Sequence, residues 1–285
     1  MTTTQSPAPE RSRERDRWNA NAAAWSRWAD PMAELAQRLN TPLLHAARVE
    51  AGDRVLDLAS GVGEPALSAA RKAGIGGLVV GTDLVPAMLA TAVRRAQAAG
   101  AAKLSFAACD MECMPFRDGW FDRATCRFGI MFAPHPAKAL TEIRRVLRPG
   151  GRLAMMVWGP RADNTLFREV GAAVETAIGH RPEHLSDFAT LFRYAAPGSL
   201  GAPLAQAGFE LIEEHDLKPV GRVPADRPFW QATLDMTFAH AVFALDAAPR
   251  KALEADIIGR FGGLAEGGQV ALHIHARIVT AVKPV

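Results

Sequence analysis

Three acids punctuate the first half of the chain at places where open α/β sheets gather their ligands. Asp57 stands near the end of the apolar run Val55-Leu56-Asp57-Leu58, Asp83 ends Leu78–Asp83, and Asp110 ends Leu104–Asp110. Gly61 and Gly63 follow the first acid at once, and Pro65 suits the first position of a helix. Gly61 to Ala66 matches the GxGxxA form of a dinucleotide fingerprint, with Asp83 twenty residues past Gly63. The charges oppose that reading. A pyrophosphate would meet the carboxylates of Asp57 and Glu64 where a helix N-terminus should attract it. A cationic nucleoside without phosphate suits the same residues. Asp57 draws its positive group, the glycines admit close approach, Asp83 holds ribose hydroxyls, and Asp110 accepts from an adenine amino group.

Two histidines are candidates for acid–base work. His135 lies between Pro134 and Pro136, on a loop near the strand ends, and is weighed against an ordinary surface loop histidine. His240 shares a predicted helix with Met236 and Thr237 and is weighed against simple helix packing. His273 and His275 are spaced to share one strand face with Arg277, and a polar strand face is preferred to a metal pair. Cys109, Cys113 and Cys126 cannot all pair and lack CxxC spacing, so free thiols and no metal site are expected.

The elements that must position these residues alternate. Apolar runs at 54–58, 78–83, 104–110, 121–128 and 152–158 read as strands, and 64–73, 86–99 and 136–147 as the helices between them. That alternation predicts a doubly wound parallel sheet with its ligand crevice beyond the strand ends. Trp18, Ala22, Trp25 and Trp28 share one face of a helix predicted over 15–29, either packed as core or laid as an aromatic lid over the crevice. After Trp158, helices are predicted at 163–179, 198–207, 228–246 and 249–261, with strands at 209–216 and 269–282. Residues 1–14 are expected to be a disordered arm and 15–285 one domain. Within it, 15–47 are lid helices, 50–158 the cofactor-binding core, 159–265 cap insertions with the sixth strand, and 269–282 the final strand.

A chain of 285 residues with 49% hydrophobic and 22% charged residues can bury a full core. The net charge of +3 comes without a basic block, so no nucleic-acid partner is expected. The N-terminus MTTTQSPAPE lacks an apolar signal core, and no run is long enough to span a membrane, so a cytoplasmic protein is expected.

The runs VLDLASGVGEPAL, VVGTDLVPAML, ACDMECMPFRDGWFD and ALTEIRRVLRPGGRL together resemble the class I S-adenosylmethionine-dependent methyltransferases. Within them the chain is most similar to the branch of the ubiquinone/menaquinone C-methyltransferases and small-molecule methyltransferases. The likeness covers residues 50–158. It implies a Rossmann-like, doubly wound seven-stranded sheet with its last strand antiparallel, N-terminal helices and a helical cap. It also implies S-adenosyl-L-methionine as cofactor and a small-molecule methyl acceptor. By position, Asp57 is to reach the methionine amino group, directly or through water, and Ala59, Gly61 and Gly63 are to line the methionine moiety. Asp83 is to bind the ribose, with Leu84 and Met88 beside it. Asp110 and Met111 are to hold the adenine edge, and Arg127 and Phe128 to flank the methyl group and the substrate. A histidine at the end of strand four in some relatives is replaced here by Phe132, with His135 next. The expected acceptor is a small apolar or aromatic metabolite of secondary metabolism. A quinone precursor, a nicotinamide dehydrogenase and a non-catalytic S-adenosylmethionine-binding module are the rival readings, and monomer or homodimer is left open.

Overall fold

The computed structural model describes residues 7–179, 190–243 and 245–285, with the backbone alone at 7–10 and 240. They fall into two compact units. The first comprises the chain up to Val157 with Pro197–His215 and Ile278–Val285; the second comprises Trp158–Ala196 and Asp216–Arg277.

The first unit is built on a seven-stranded sheet in the order β3-β2-β1-β4-β5-β9-β6. Its strands are β1 (Arg54–Leu58), β2 (Leu78–Asp83), β3 (Leu104–Ala108), β4 (Phe121–Arg127), β5 (Leu147–Trp158), β6 (Glu210–Leu217) and β9 (Ala276–Val282). β1 pairs in parallel with β2 on one side and β4 on the other. Sitting mid-sheet with helices on both faces is why Val55, Leu56 and Leu58 are all apolar and fully buried. β9 runs antiparallel to β5. The Gly150 and Lys283 backbones bond at one end of the pair, where Gly150 N–H donates to the Lys283 carbonyl and Lys283 N–H to that of Gly151. At the other end Gly159 N–H reaches the His275 carbonyl, so sequence numbers rise along one strand as they fall along the other.

The helices of this unit are α1 (Pro7–Trp28), α2 (Ala33–Ala46), α3 (Ala66–Ala73), α4 (Pro86–Ala98), α5 (Pro136–Val146) and the short α7 (Gly201–Gln206). Pro86 and Pro136 open α4 and α5, where a missing N–H costs no hydrogen bond. Pro65, predicted inside the first turn of α3, precedes it as the N-cap. α1 is longer than predicted. It starts at Pro7, so residues 7–14, read as a disordered arm, are helical. The tryptophan stripe gives it an anchor: Ala22, Trp18 and Trp25 pack with Val62, Leu84, Val85 and Met88. Residues 1–6 lie outside the described chain.

The second unit contains α6 (Thr165–Ile178), α8 (Gln231–Thr237), α9 (Ala239–Phe243), α10 (Ala247–Gly263) and a two-stranded sheet of β7 (Val220–Pro224) and β8 (Gln269–His273). Val174, Trp230, Leu234, Ile257 and Phe261 form the centre of its own core. Two predicted elements are corrected here. The helix over 228–246 divides at Phe238, whose ring is buried in that core. The single strand over 269–282 is two strands, because β8 pairs with β7 while β9 belongs to the large sheet. His273 and His275 therefore share no strand: His273 ends β8, exposed, and His275 is buried between Asp163 and Asp216, at 2.7 and 3.0 Å. The segment at 180–189 lies outside the described residues.

Candidate active site

At the carboxyl ends of β1, β2, β3 and β4 lies an open cleft of about 1080 Å³, including its mouth, within the first unit. Ala59, Gly61, Asp83, Leu84, Met88 and Asp110 line it, as do Met111, Arg127 and Phe128. The structure thus brings together the predicted cofactor residues, except for two.

Asp57 is the first exception. It is completely buried and does not line the cleft. One carboxylate oxygen accepts from the Ala66 backbone N–H at 3.0 Å, holding the first turn of α3, and the other from Thr125 Oγ1 at 2.8 Å. Burial pushes its pKa up to about 7, against the pull of the Thr125 bond and the Arg127 charge. A direct contact with a ligand's ammonium is therefore not what its position offers. Gly63 is the second exception. A Cβ there would meet Leu67 and Ala92 at 3.2 to 3.4 Å, and φ is +109°, so it serves close packing of the loop on α3 and α4.

The remaining acids are placed by backbone donors. Asp83 Oδ2 accepts from Gly61 N–H at 2.9 Å, folding the glycine turn onto the end of β2, and Oδ1 accepts from Val85 N–H at 2.9 Å. Burial raises its pKa, and these backbone donors hold it down. Asp110 lies just past β3; its Oδ1 accepts from Glu112 N–H at 2.8 Å, and its Oδ2 pairs with the Arg11 guanidinium of α1. Ala59 and Phe128 both adopt positive φ, +53° and +58°, on the cleft wall. Non-glycine residues held so are characteristic of sites where surrounding structure fixes the backbone.

Glu64, which the sequence offers only as a charge opposing a pyrophosphate, is a further wall residue. It lines the cleft, and its Oε2 accepts from Asn40 Nδ2 at 2.7 Å and Ser68 Oγ at 2.8 Å. Arg127 Nη2 donates to the Glu64 carbonyl at 3.3 Å, and burial lowers the Arg127 pKa against the opposing charges of Glu64 and Asp57. Trp18, Trp25 and Phe132 complete an aromatic wall, with Trp18 edge-on to Phe132 at 4.8 Å between centroids. Arg11 and Glu14 of α1 also face the cleft, a placement that the charge alternation of their segment does not reveal.

His135 is not brought to it. His135 precedes α5 and does not line the cleft; its ring nitrogen Nδ1 is 3.1 Å from Glu112, whose other oxygen accepts the His135 backbone N–H at 2.7 Å. His240 belongs to α9 in the second unit, and its side chain lies outside the described residues.

The cleft wall carries four carboxylates, Glu14, Glu64, Asp83 and Asp110, against two guanidinium groups, Arg11 and Arg127. Such a surface repels a pyrophosphate and accepts a cationic nucleoside. Fold and cleft together define the class I architecture of enzymes that use S-adenosylmethionine. Comparison with known proteins agrees. Residues 56–155 match the family model described as a methyltransferase domain. The ubiquinone/menaquinone biosynthesis C-methyltransferase UbiE of Cupriavidus metallidurans is 33% identical over 178 residues, covering 60% of this chain and 73% of that protein. The demethylmenaquinone methyltransferase of Thermus thermophilus is 36% identical over 179 residues, covering 58% and 78%. Among solved structures, phosphoethanolamine N-methyltransferase 2 of Haemonchus contortus in complex with S-adenosyl-L-methionine has the same fold. Its TM-score is 0.54 at 20% identity, covering 87% of this chain and 52% of that one. The chain belongs to the S-adenosylmethionine-dependent methyltransferase family, where it resembles the ubiquinone/menaquinone C-methyltransferases. It is a methyltransferase whose cofactor is S-adenosylmethionine. Among the described residues, no helix is long and apolar enough to cross a membrane.

Proposed function

We propose that the protein moves the methyl group of S-adenosylmethionine to a small apolar or aromatic metabolite in the cytoplasm, in secondary metabolism. The observation that carries the acceptor class is the wall of Trp18, Trp25, Phe128 and Phe132 beside the ends of β1 and β4. Flat, apolar side chains of this kind favour an organic ring over a sugar or a phosphate ester.

When bound, the cofactor supplies a methyl carbon activated by its sulfonium. The residues of the chain then hold, align and exclude water. Asp83 takes the ribose hydroxyls, with Leu84 and Met88 against the ribose and adenine, and Asp110 and Met111 take the adenine edge. Arg127 and Glu64 face the methionine end, a cation for its carboxylate and an anion for its ammonium, which gives Glu64 the role the family resemblance assigns to Asp57. Ala59 and Gly61 leave the backbone open there, and Phe128 flanks the reacting carbon. Among the described lining residues the proton acceptors are carboxylates. An acceptor acidic enough to yield its proton to a carboxylate or to water, such as a phenol or an activated carbon, suits them best.

The relatives' names favour one second reading, a quinone-precursor C-methyltransferase. Incubation with a methyl-labelled donor and host metabolite extract, followed by mass spectrometry, separates the two. A labelled small aromatic product without a polyprenyl chain is expected. A labelled quinone would select the second reading, and labelled protein or nucleic acid with no small product would overturn both.

A further inference from the structure

Two loops frame the cleft beyond β3 and β4, and one buried side chain joins them. The loop after β3 carries Asp110 and Met111 on the cleft wall, and the loop after β4 carries Phe132, Ala133 and Pro134. Glu112 follows Met111, and its side chain is only 2% exposed. Both of its oxygens turn to His135: Oε1 accepts the backbone N–H at 2.7 Å, and Oε2 lies 3.1 Å from ring Nδ1. Its own N–H donates to Asp110 Oδ1 at 2.8 Å. A continuous path of hydrogen bonds thus runs from Asp110 through Glu112 to the backbone beside Pro134. The loop after β3 is a firm base for that path. Cys113 N–H donates to the Asp110 carbonyl at 3.0 Å, Met114 N–H to Glu142 Oε1 at 2.8 Å, and Arg145 to the Met114 and Phe116 carbonyls. Burying a carboxylate is costly unless its oxygens find donors, so Glu112 favours the position of the second loop that supplies them.

We propose that Glu112 is a positioning residue that couples the nucleoside's seat to the acceptor's side of the cleft. The proposal rests on the assignment of Asp110 to the adenine edge. A nucleoside held by the Asp110 carboxylate, which also pairs with Arg11, fixes the group that receives Glu112 N–H. Glu112 in turn sets the His135 backbone just before α5, and with it Ala133 and Pro134 on the wall. Seating the cofactor therefore orders the acceptor's wall, and by reciprocity an ordered wall tightens the cofactor. His135 serves here through its main chain, as the receiving end of the path.

Hydrogen exchange read residue by residue by NMR tests this, with S-adenosylhomocysteine as the ligand and calorimetry to establish saturation. The His135 amide is the reporter, because His135 does not line the cleft. Lys138 and Ala139, whose N–H groups donate to the His135 carbonyl, extend the readout. In the wild type the ligand is expected to slow exchange at these amides about three- to tenfold, the range of coupling through a hydrogen-bonded network. Glu112→Ala should bind the ligand and show a slowing below about twofold. Glu112→Gln keeps an oxygen for His135 N–H and should retain most of the slowing. Glu112→Asp keeps the charge, falls one methylene short of His135, and should behave as the alanine variant does. A role in packing alone would leave the ratio of exchange with and without ligand unchanged in all three. Ligand bound to the wild type without slowed exchange overturns the coupling and leaves the cofactor site standing. Slowing in Glu112→Ala or Glu112→Asp equal to that of the wild type does the same. No binding to the wild type overturns both. The wild-type series needs no variant, so a poorly folded Glu112→Ala leaves the coupling open to refutation.

Discussion

Asp57 and Asp83 carry the same side chain at neighbouring strand ends, yet their surroundings give them different work. Asp57 has no exposure and a pKa near 7, well above the 3.8 of a free carboxyl, with burial as the main cause. A carboxyl whose folded pKa is raised binds its proton more readily in the native state, so stability falls as pH climbs from about 4 to about 7. Asp57→Asn keeps an acceptor for Ala66 N–H and removes the titration. Its melting temperature should change less than that of the wild type between pH 5 and 8, as differential scanning fluorimetry can check. Asp83→Ala should cost cofactor affinity at least tenfold by calorimetry, and unchanged affinity would refute the ribose assignment. Ala59 offers a third test. Its left-handed backbone is unfavourable for any residue with a Cβ, and that Cβ would lie 2.5 Å from one added at Gly129. Gly129→Ala should destabilise by about 1 to 3 kcal/mol. Adding Ala59→Gly should restore part of this, the rest remaining because Cys126 Sγ also presses there at 2.9 Å.

At the scale of elements, the cleft is assembled by side chains that join helices. Asn40 of α2 is fully buried and donates to Glu64 before α3 and to Ser68 within it, at 2.7 and 3.0 Å. Arg71 of α3 also donates to Ser68 Oγ at 2.9 Å. Glu64 thereby faces the cleft from a position set by two helices. Asn40→Ala leaves the Glu64 carboxylate short of a donor and should destabilise by about 1 to 3 kcal/mol. It should also weaken cofactor binding, although Asn40 does not line the cleft. Titration calorimetry of this variant beside Asn40→Asp separates pinning from mere packing: the aspartate would repel Glu64 and should be worse than alanine. On the opposite end of the sheet, Asp122 binds Arg54 and Arg148. Burial works to raise its pKa, and the bonds from these two arginines outweigh it and lower the value to about 2. That group contributes stability above pH 4, which is lost as pH falls toward 2.

The whole molecule is two units, and the second is tied together near the four places where its chain begins and ends. Gly159 N–H donates to the His275 carbonyl at 2.8 Å, Arg277 reaches the Ala195 carbonyl, and Arg277 Nε donates to Asp216 at 3.0 Å. His275 adds its two ring nitrogens toward Asp163 and Asp216. Bonds from His275, Lys218 and Arg277 hold the Asp216 carboxyl well below its usual range. Asp216→Ala takes this carboxylate from the buried Arg277 and should destabilise by about 1 to 3 kcal/mol. Hydrogen exchange should locate the loss in α6, α8 and α10. Arg277→Met should cost less, because it removes the buried charge and leaves Asp216, itself 42% exposed, to water and to Lys218.

The sequence by itself determined the order of elements from 54 to 158 and the cofactor. Both are local in origin. Buried parallel strands must be apolar on both faces, and glycine turns and prolines stop and start their neighbours within a few residues. Much of the cleft was legible for the same reason, since acids at successive strand ends are carried to one edge by the parallel register itself. Only the tertiary structure decided which of those acids faces the cleft. Direction within a loop depends on partners far along the chain: Thr125 and Ala66 turn Asp57 inward, while Asn40 and Ser68 hold Glu64 at the wall. The same holds for β8 and β9, which read as one long strand. Their separation is set by pairing, β8 with β7 and β9 with β5 and β6, strands that all lie far back in the chain. Local pattern names an element; distant pairing decides where it goes.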